Sequence, residues 1–164
     1  MERGYLIRPF VKGEEEYVAQ AHRRLYTAEQ GWGDGFCKYA MEIPRAFAAR
    51  LRTPREEMWI AEKDGTPVGC IAVMDAGDNV AQLRLFLVEP EHRGTGVGKA
   101  LFATALDNIR TWGYDRAVLW TADTQKNARI MYGKLGFVMT ETASNTTWSA
   151  TGKTVVEEKW ELKL

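Results

Sequence analysis

LRLFLVEPEHRGTGVGKALF, residues 83 to 102, runs an apolar strand through a glycine-rich turn directly into an amphipathic helix. A helix start carries unpaired N–H groups and about half a positive charge from the macrodipole. A turn stripped of side chains lets an anion reach those amides. The segment therefore reads as a strand-turn-helix cradle for a phosphate-bearing ligand.

Spacing excludes two common nucleotide cradles. Reading back from Gly98-Lys99, the first glycine of a P-loop falls on Arg93, and Ala100 stands where a magnesium-binding hydroxyl is needed. Gly94, Gly96 and Gly98 make GxGxG, with Lys99 where a dinucleotide fingerprint requires its third glycine. What remains is Arg-x-x-Gly-x-Gly at Arg93, Gly96 and Gly98.

Working outward, the chain of 164 residues is 45% hydrophobic, enough for one domain, residues 1–164, with a proper core. Lysine plus arginine (22) equals aspartate plus glutamate (22), so no basic surplus argues for nucleic acid or an anionic membrane. No signal-like segment opens the chain, and no apolar run reaches the length of a membrane span. A cytoplasmic location is expected. Cys37 and Cys70 lie outside any CxxC spacing, and His22 and His92 are the only histidines, so no metal site is expected.

Patterning predicts a strand over Tyr5–Phe10 and a helix opened by Glu14–Glu16, with Val18, Ala21, Leu25 and Ala28 on one face. A loop at 31–35 leads to a second helix over Phe36–Leu51, interrupted or kinked near Pro44. Met58–Glu62, Val68–Met74 and Ala81–Val88 read as antiparallel strands joined by hairpins at Asp64-Gly65 and residues 77–79. A helix over Leu101–Trp112, a strand over Ala117–Thr121, a helix over Asn127–Leu135 and two strands, Phe137–Thr147 and Thr154–Leu164, complete the order βααβββαβαββ.

The Arg93 turn, this element order and a second motif, NARIMYGKLGF at residues 127–137, together resemble the GNAT (GCN5-related N-acetyltransferase) superfamily across essentially the whole chain. GYLIRPF, GWGDGF, LRLFLVEP and KWELKL further resemble the acetyltransferase half of bacterial fusions with a MarR-type regulator. The resemblance implies an α/β (α+β) fold: a mixed, mostly antiparallel sheet of about seven strands with splayed central strands, and about four helices. It implies acetyl-CoA as cosubstrate, held at its diphosphate by Arg93, Gly94, Thr95, Gly96, Gly98 and Lys99, along its pantetheine arm by the backbone of Phe86, Leu87 and Val88, and by Asn127.

Acetyl transfer to an amine needs a neutral nucleophile, a donor for the oxyanion and a proton for the departing thiolate. A phenol of pKa about 10 stays protonated at neutral pH, and the resemblance gives that role to Tyr132. By spacing alone Tyr132 reads as a core aromatic, and Asn127 as a helix-start residue. On the acceptor side, Gln82 stands near the place where relatives often carry a glutamate, and it is no base. Glu29 is the candidate for holding an ammonium or a water, against an ordinary solvated glutamate. Arg84 is either a surface charge or aimed at a substrate carboxylate. Trp32, Phe36 and Tyr39 are candidates for an apolar wall. The expected activity is N-acetylation of a small-molecule amine by direct attack on the thioester. Acetylation of a protein or peptide, and a non-catalytic acyl-CoA sensor, are the alternatives. A homodimer is common among such proteins.

Overall fold

The computed structural model describes residues 4–50 and 53–164. Its elements run β1 (Tyr5–Pro9), α1 (Glu15–Gln30), α2 (Asp34–Ala49), β2 (Glu57–Lys63), β3 (Thr66–Asp75), β4 (Val80–Val88), α3 (Val97–Thr111), β5 (Arg116–Ala122), α4 (Lys126–Lys134), β6 (Val138–Asn145) and β7 (Val155–Lys163), with a 3-10 turn at Pro90–His92. The expected order holds throughout.

The strands form one sheet in the order β1-β2-β3-β4-β5-β7-β6. Every pairing is antiparallel except β4 with β5, which run parallel. The β2–β3 hairpin turns through Asp64 and Gly65, both at positive φ, which suits the right-handed twist of the flanking strands. Helices cover both faces. Leu101, Phe102 and Ile109 of α3 are fully buried against Ile71, Val73 and Leu83, each contributing about 1.5–3 kcal/mol through removal from water. On the other face Val18 and Leu25 of α1 and Phe47 of α2 pack on Met58, Ile60 and Cys70.

Two helix starts and one helix interior differ most from the sequence reading. The α1–α2 loop is shorter than expected, because Asp34 and Gly35 already belong to α2; an acidic first turn suits the helix dipole. The helix runs through Pro44 without interruption, and Pro44 is fully buried on its inner face. Its expected end at Leu51 lies outside the described residues. Helix α3 starts at Val97, four residues before the apolar periodicity signals it, since Gly98 and Lys99 carry no core-facing side chain.

Two irregularities open the centre of the sheet. Strands β4 and β5 pair only over Val80–Gln82 and Arg116–Val118, and beyond Gln82 they diverge. The β3–β4 register slips between Cys70 and Ala72, where Leu85 takes a φ of +57° and its carbonyl accepts a bond from the buried Cys70 thiol at 3.0 Å. Two residues of β4 thus oppose one of β3, a bulge that bends β4 away from β5.

Candidate active site

A cavity of about 1280 Å³ occupies the divergence between β4 and β5 and continues onto the α1–α2 face. One end is the glycine turn. Gly94 and Gly96 hold φ values of +78° and +88°, a region that L side chains avoid, and Gly96 caps α3. Among the described residues, no backbone carbonyl accepts from the amides of Gly94, Thr95, Gly96, Gly98 or Lys99, because the first bond of α3 runs from Ala100 to Gly96. A Cβ on Gly98 would make ordinary contact with Val88 at 3.4 Å and Phe86 at 3.6 Å, which places the helix start beside the end of β4. The arrangement fits an anion of diphosphate size: open amides, a positive helix end and no side chain in the way.

Arg93, Gly94, Gly96, Gly98 and Lys99 all line the cavity, and Thr95 does not. The Thr95 hydroxyl is spent within the turn, donating to the His92 carbonyl at 2.7 Å. Arg93 is engaged as well. Its guanidinium makes a two-pronged ion pair with Glu29 at 2.7 and 2.8 Å, and its Nε donates to the Val88 carbonyl at 3.1 Å. The Arg93 guanidinium holds the Glu29 carboxyl below the usual carboxylate range. Nearby, Arg24 grips Glu89 at 2.6 and 3.0 Å, and the Tyr17 hydroxyl donates to the same carboxylate at 3.1 Å. Helix α1 is thereby clamped twice to the approach of the turn. Glu29, the acceptor-side candidate in the sequence, sits at the cradle instead.

The middle of the cavity is the divergent strand edge. Phe86, Leu87 and Val88 line it, and past Gln82 their backbone has no β5 partner. Such an edge accepts an extended amide-bearing chain as an added strand. Two side-chain bridges span the gap from α1 to the β5–α4 junction: Gln125 Nε2 donates to the Tyr26 hydroxyl at 3.2 Å, and the Thr124 hydroxyl donates to Gln30 Oε1 at 2.8 Å. Gln125 is the residue before α4, and its Oε1 also accepts from Ala122 N and the Thr121 hydroxyl, which holds that junction rigid.

Tyr132 lies on the inner side of α4, 6% exposed, packed against Phe102, Phe137 and Trp160. Among the described residues its hydroxyl makes no hydrogen bond, yet no fully enclosed side-chain polar atom lacks a partner. The hydroxyl therefore opens onto the cavity that Tyr132 lines. Burial pushes the phenol pKa up, so its proton stays on at neutral pH. Asn127 also lines the cavity, exposed, in the first turn of α4. The ring of Tyr132 thus belongs to the core and its oxygen to the cavity.

The far end lies between the sheet and the two N-terminal helices. Trp32, Phe36 and Trp148 form an aromatic cluster with centroids 4.6–5.1 Å apart, and Tyr39 stacks on Trp148 at 6.2 Å. The α1–α2 loop is joined to the β6–β7 loop: Gly33 N donates to the Trp148 carbonyl at 2.6 Å, and Ala150 N to the Gly31 carbonyl at 3.0 Å. A Cβ on Gly35 would stand 2.7 Å from the Thr147 carbonyl, so glycine is required for that approach. Gln82 and Arg84 reach this end from β4, and Arg84 donates to the Tyr39 hydroxyl at 2.6 Å. His22, buried on α1, donates Nδ1–H to the Val18 carbonyl, and burial lowers its pKa to about 4, so it is neutral at pH 7.

Tyr26, Gln125, Trp120, Trp148 and Glu157 line the cavity and escaped the sequence reading. Alternation along β7 was the available signal for Glu157: Val155 packs on Trp32 and Phe36, so Glu157 shares its face, whereas Glu158 points to Arg129 on the other. Among the described residues no cluster of His, Cys, Asp or Glu has a metal-binding arrangement, and no helix is long and apolar enough to cross a membrane.

The fold is shared with solved structures. An acetyltransferase from Streptococcus agalactiae superimposes with a TM-score of 0.80 at 18% identity, covering 99% of this chain and 100% of that one. A Bacillus anthracis acetyltransferase, solved in complex with acetyl coenzyme A, aligns with a TM-score of 0.60 at 23% identity over 70% of this chain and 66% of its own. In sequence, the N-acetyltransferase family 8 member 3 of Rattus norvegicus is 36% identical over 104 residues, 60% of this chain and 44% of the relative, so the chain spans less than half of that protein. A sequence model of the acetyltransferase (GNAT) family matches residues 16–137, well over half of the chain and both motifs. The chain therefore belongs to the acetyltransferase (GNAT) family.

Proposed function

We propose that the protein is an acetyl-CoA-dependent N-acetyltransferase that moves an acetyl group to the amine of a small molecule. The observation that carries the reading is the single cavity that joins the open amides of residues 94–99, the unpaired edge of β4 and the unpartnered hydroxyl of Tyr132. Acetyl-CoA supplies the acyl thioester.

In this reading the amides of the turn, with Lys99 and the Arg93 guanidinium, bind the diphosphate. Phe86 to Val88 pair through their backbone with the amides of the pantetheine arm, which orients the thioester toward α4. Asn127 adds a hydrogen bond at the mouth. Tyr132 holds its proton at neutral pH and presents it to the departing sulfur; a free thiolate is a weaker base than the buried phenolate, so the hydroxyl stabilises the charge as the C–S bond breaks, and its proton is passed on only as the amine nitrogen gives up its own. The cysteines take no part: both are buried, and burial pushes the Cys70 thiol up, away from a nucleophilic thiolate. Two free thiols also agree with a cytoplasmic setting.

A small acceptor is favoured over a protein chain because the α1–α2 and β6–β7 loops are hydrogen-bonded to each other. A polypeptide threading past the thioester needs the gap that these bonds close. The test is free-thiol release from acetyl-CoA with a panel of amines, amino acids and peptides, preceded by thermal stabilisation with acetyl-CoA alone. Stabilisation and thiol release with small amines are expected; turnover confined to peptides moves the protein to the other acceptor class, and binding without turnover makes it a sensor.

A further inference from the structure

Two charged side chains at the far end of the cavity have no ion-pair partner among the described residues. Arg84 makes one hydrogen bond, to the neutral Tyr39 hydroxyl, and among the described residues it has no carboxylate partner. That sets it apart from Arg8, Arg24, Arg50, Arg93 and Arg129, each held by a glutamate at 2.6–2.8 Å. Arg84 is also only partly exposed, so its guanidinium has given up some hydration without gaining a counter-ion. Glu157 is its counterpart. One of its oxygens accepts from Asn145 Nδ2 at 3.0 Å, the other has no partner among the described residues, and no cation pairs with it.

Both line the cavity, and both face α1 and α2: Arg84 reaches Tyr39 of α2, and Glu157 alternates in step with Val155, which packs on Trp32 and Phe36. The registers locate them. Gln82 is level with Val118, and Arg84 lies two residues beyond it, where β4 and β5 part; Glu157 is opposite Ala122, two strands from β4. Regular strand spacing and rise would put the two Cα atoms about 12 Å apart, and the divergence of β4 from β5 adds to that, so the two side chains stand apart, with a gap between them that has room for a ligand. Trp120, Tyr39 and Trp148 stand around that gap, an apolar wall with the two opposite charges at its edges.

We infer that the acceptor is an amino-carboxylate with an apolar or aromatic body, of the α-amino-acid type, its carboxylate on Arg84 and its ammonium on Glu157. An arginine fork matches a carboxylate in two-pronged geometry. Glu157 then takes one proton from the ammonium, which leaves the lone pair of the neutral amine free to form the new C–N bond as the C–S bond breaks; the thiolate takes the Tyr132 proton, and the second proton shed by the nitrogen as the amide forms replaces it on Tyr132. This rests on the acetyl-transfer reading above.

The test uses matched triads built on phenylalanine, tryptophan and leucine: the amino acid, its amide and the carboxylate-free amine, each with acetyl-CoA. The wild-type protein is expected to prefer the amino acid by at least 10-fold in kcat/KM in one triad. In Arg84→Gln that ratio falls to near one, and Arg84→Lys restores part of it. Glu157→Gln lowers kcat for the same acceptor and moves the acid limb of its pH profile. Unaltered thermal stabilisation by acetyl-CoA shows that each variant is folded. Equal or better use of the carboxylate-free amines by the wild type, no use of any triad, or a preference that survives Arg84→Gln overturns the assignment while leaving acetyl transfer intact. Absence of acetyl-CoA stabilisation together with absence of thiol release from any amine overturns both.

Discussion

The turn at residues 93–99 takes its binding groups from one stretch of chain and offers mainly backbone amides, whereas the opposite end of the same cavity draws side chains from α2, β4, β5, β7 and two loops. The first end needs correct dihedrals and a helix start. The second needs the whole sheet in register, because Arg84 and Glu157 line one cavity only if β4, β5 and β7 are correctly paired. A backbone site is a local property with a spacing that can be read. A side-chain site is assembled from distant positions and varies without disturbing the first, which is how one donor cleft serves different acceptors.

Between the ends stands Tyr132, and its removal is the largest expected effect. Tyr132→Phe keeps the ring packed against Phe102 and Trp160 and deletes only the hydroxyl; kcat should fall about 100-fold, the lower range for a lost general acid, with acetyl-CoA affinity within about twofold. Steady-state thiol release and calorimetry measure the two halves. Equal kcat would make the tyrosine structural alone.

Gly96→Val strikes the backbone end. A branched side chain at a φ of +88° costs about 1–3 kcal/mol in strain and redirects the amides, so acetyl-CoA should bind about 10- to 100-fold more weakly by calorimetry. Binding that survives would refute the backbone character of this end.

A smaller effect of opposite sign is expected at Glu29. Its carboxylate occupies the Arg93 guanidinium, and Glu29→Gln frees that cation for the diphosphate. Acetyl-CoA affinity should rise up to about fivefold, given that partly exposed ion pairs contribute about 1 kcal/mol or less. Weaker binding would mean that the pair holds Arg93 in its working position.

The smallest effect lies in stability. His22 has a folded pKa of about 4 against an ordinary value near 6.5, so between these limits the unfolded chain binds more protons than the folded one. Stability from this source is complete above pH 6.5 and is lost as pH falls toward 4. The melting temperature of the wild type should drop by a few degrees across that window, and less in His22→Gln, where no imidazole titrates. Parallel curves for the two proteins would assign the acid sensitivity to the carboxylates.

How far each end was legible follows from these same plans. The glycines at 94, 96 and 98 carry their meaning in their spacing, and Tyr132 follows from a motif within one helix. The partner of Arg93 was not legible: Glu29 lies 64 positions away, and nothing in its surroundings sets it apart from a solvated glutamate until α1 is clamped beside β4. Glu157 was hidden for another reason. In Val-Val-Glu-Glu-Lys, neighbouring glutamates face opposite sides of a strand, and only the contacts of Val155 and Arg129 tell which side is which.

The amino-acid sequence by itself determined the element order, the hairpins, the strand-turn-helix cradle and the family, because periodicity, turn residues and motif spacing are local properties of the chain. Tertiary structure alone decided the divergence of β4 from β5, the bulge at Leu85, the clamps on α1, the junction of the two loops and the placement of Arg84 and Glu157 along one cavity. Those depend on register and on contacts between residues far apart in the chain, and such contacts exist only once the sheet has closed and the helices have covered it.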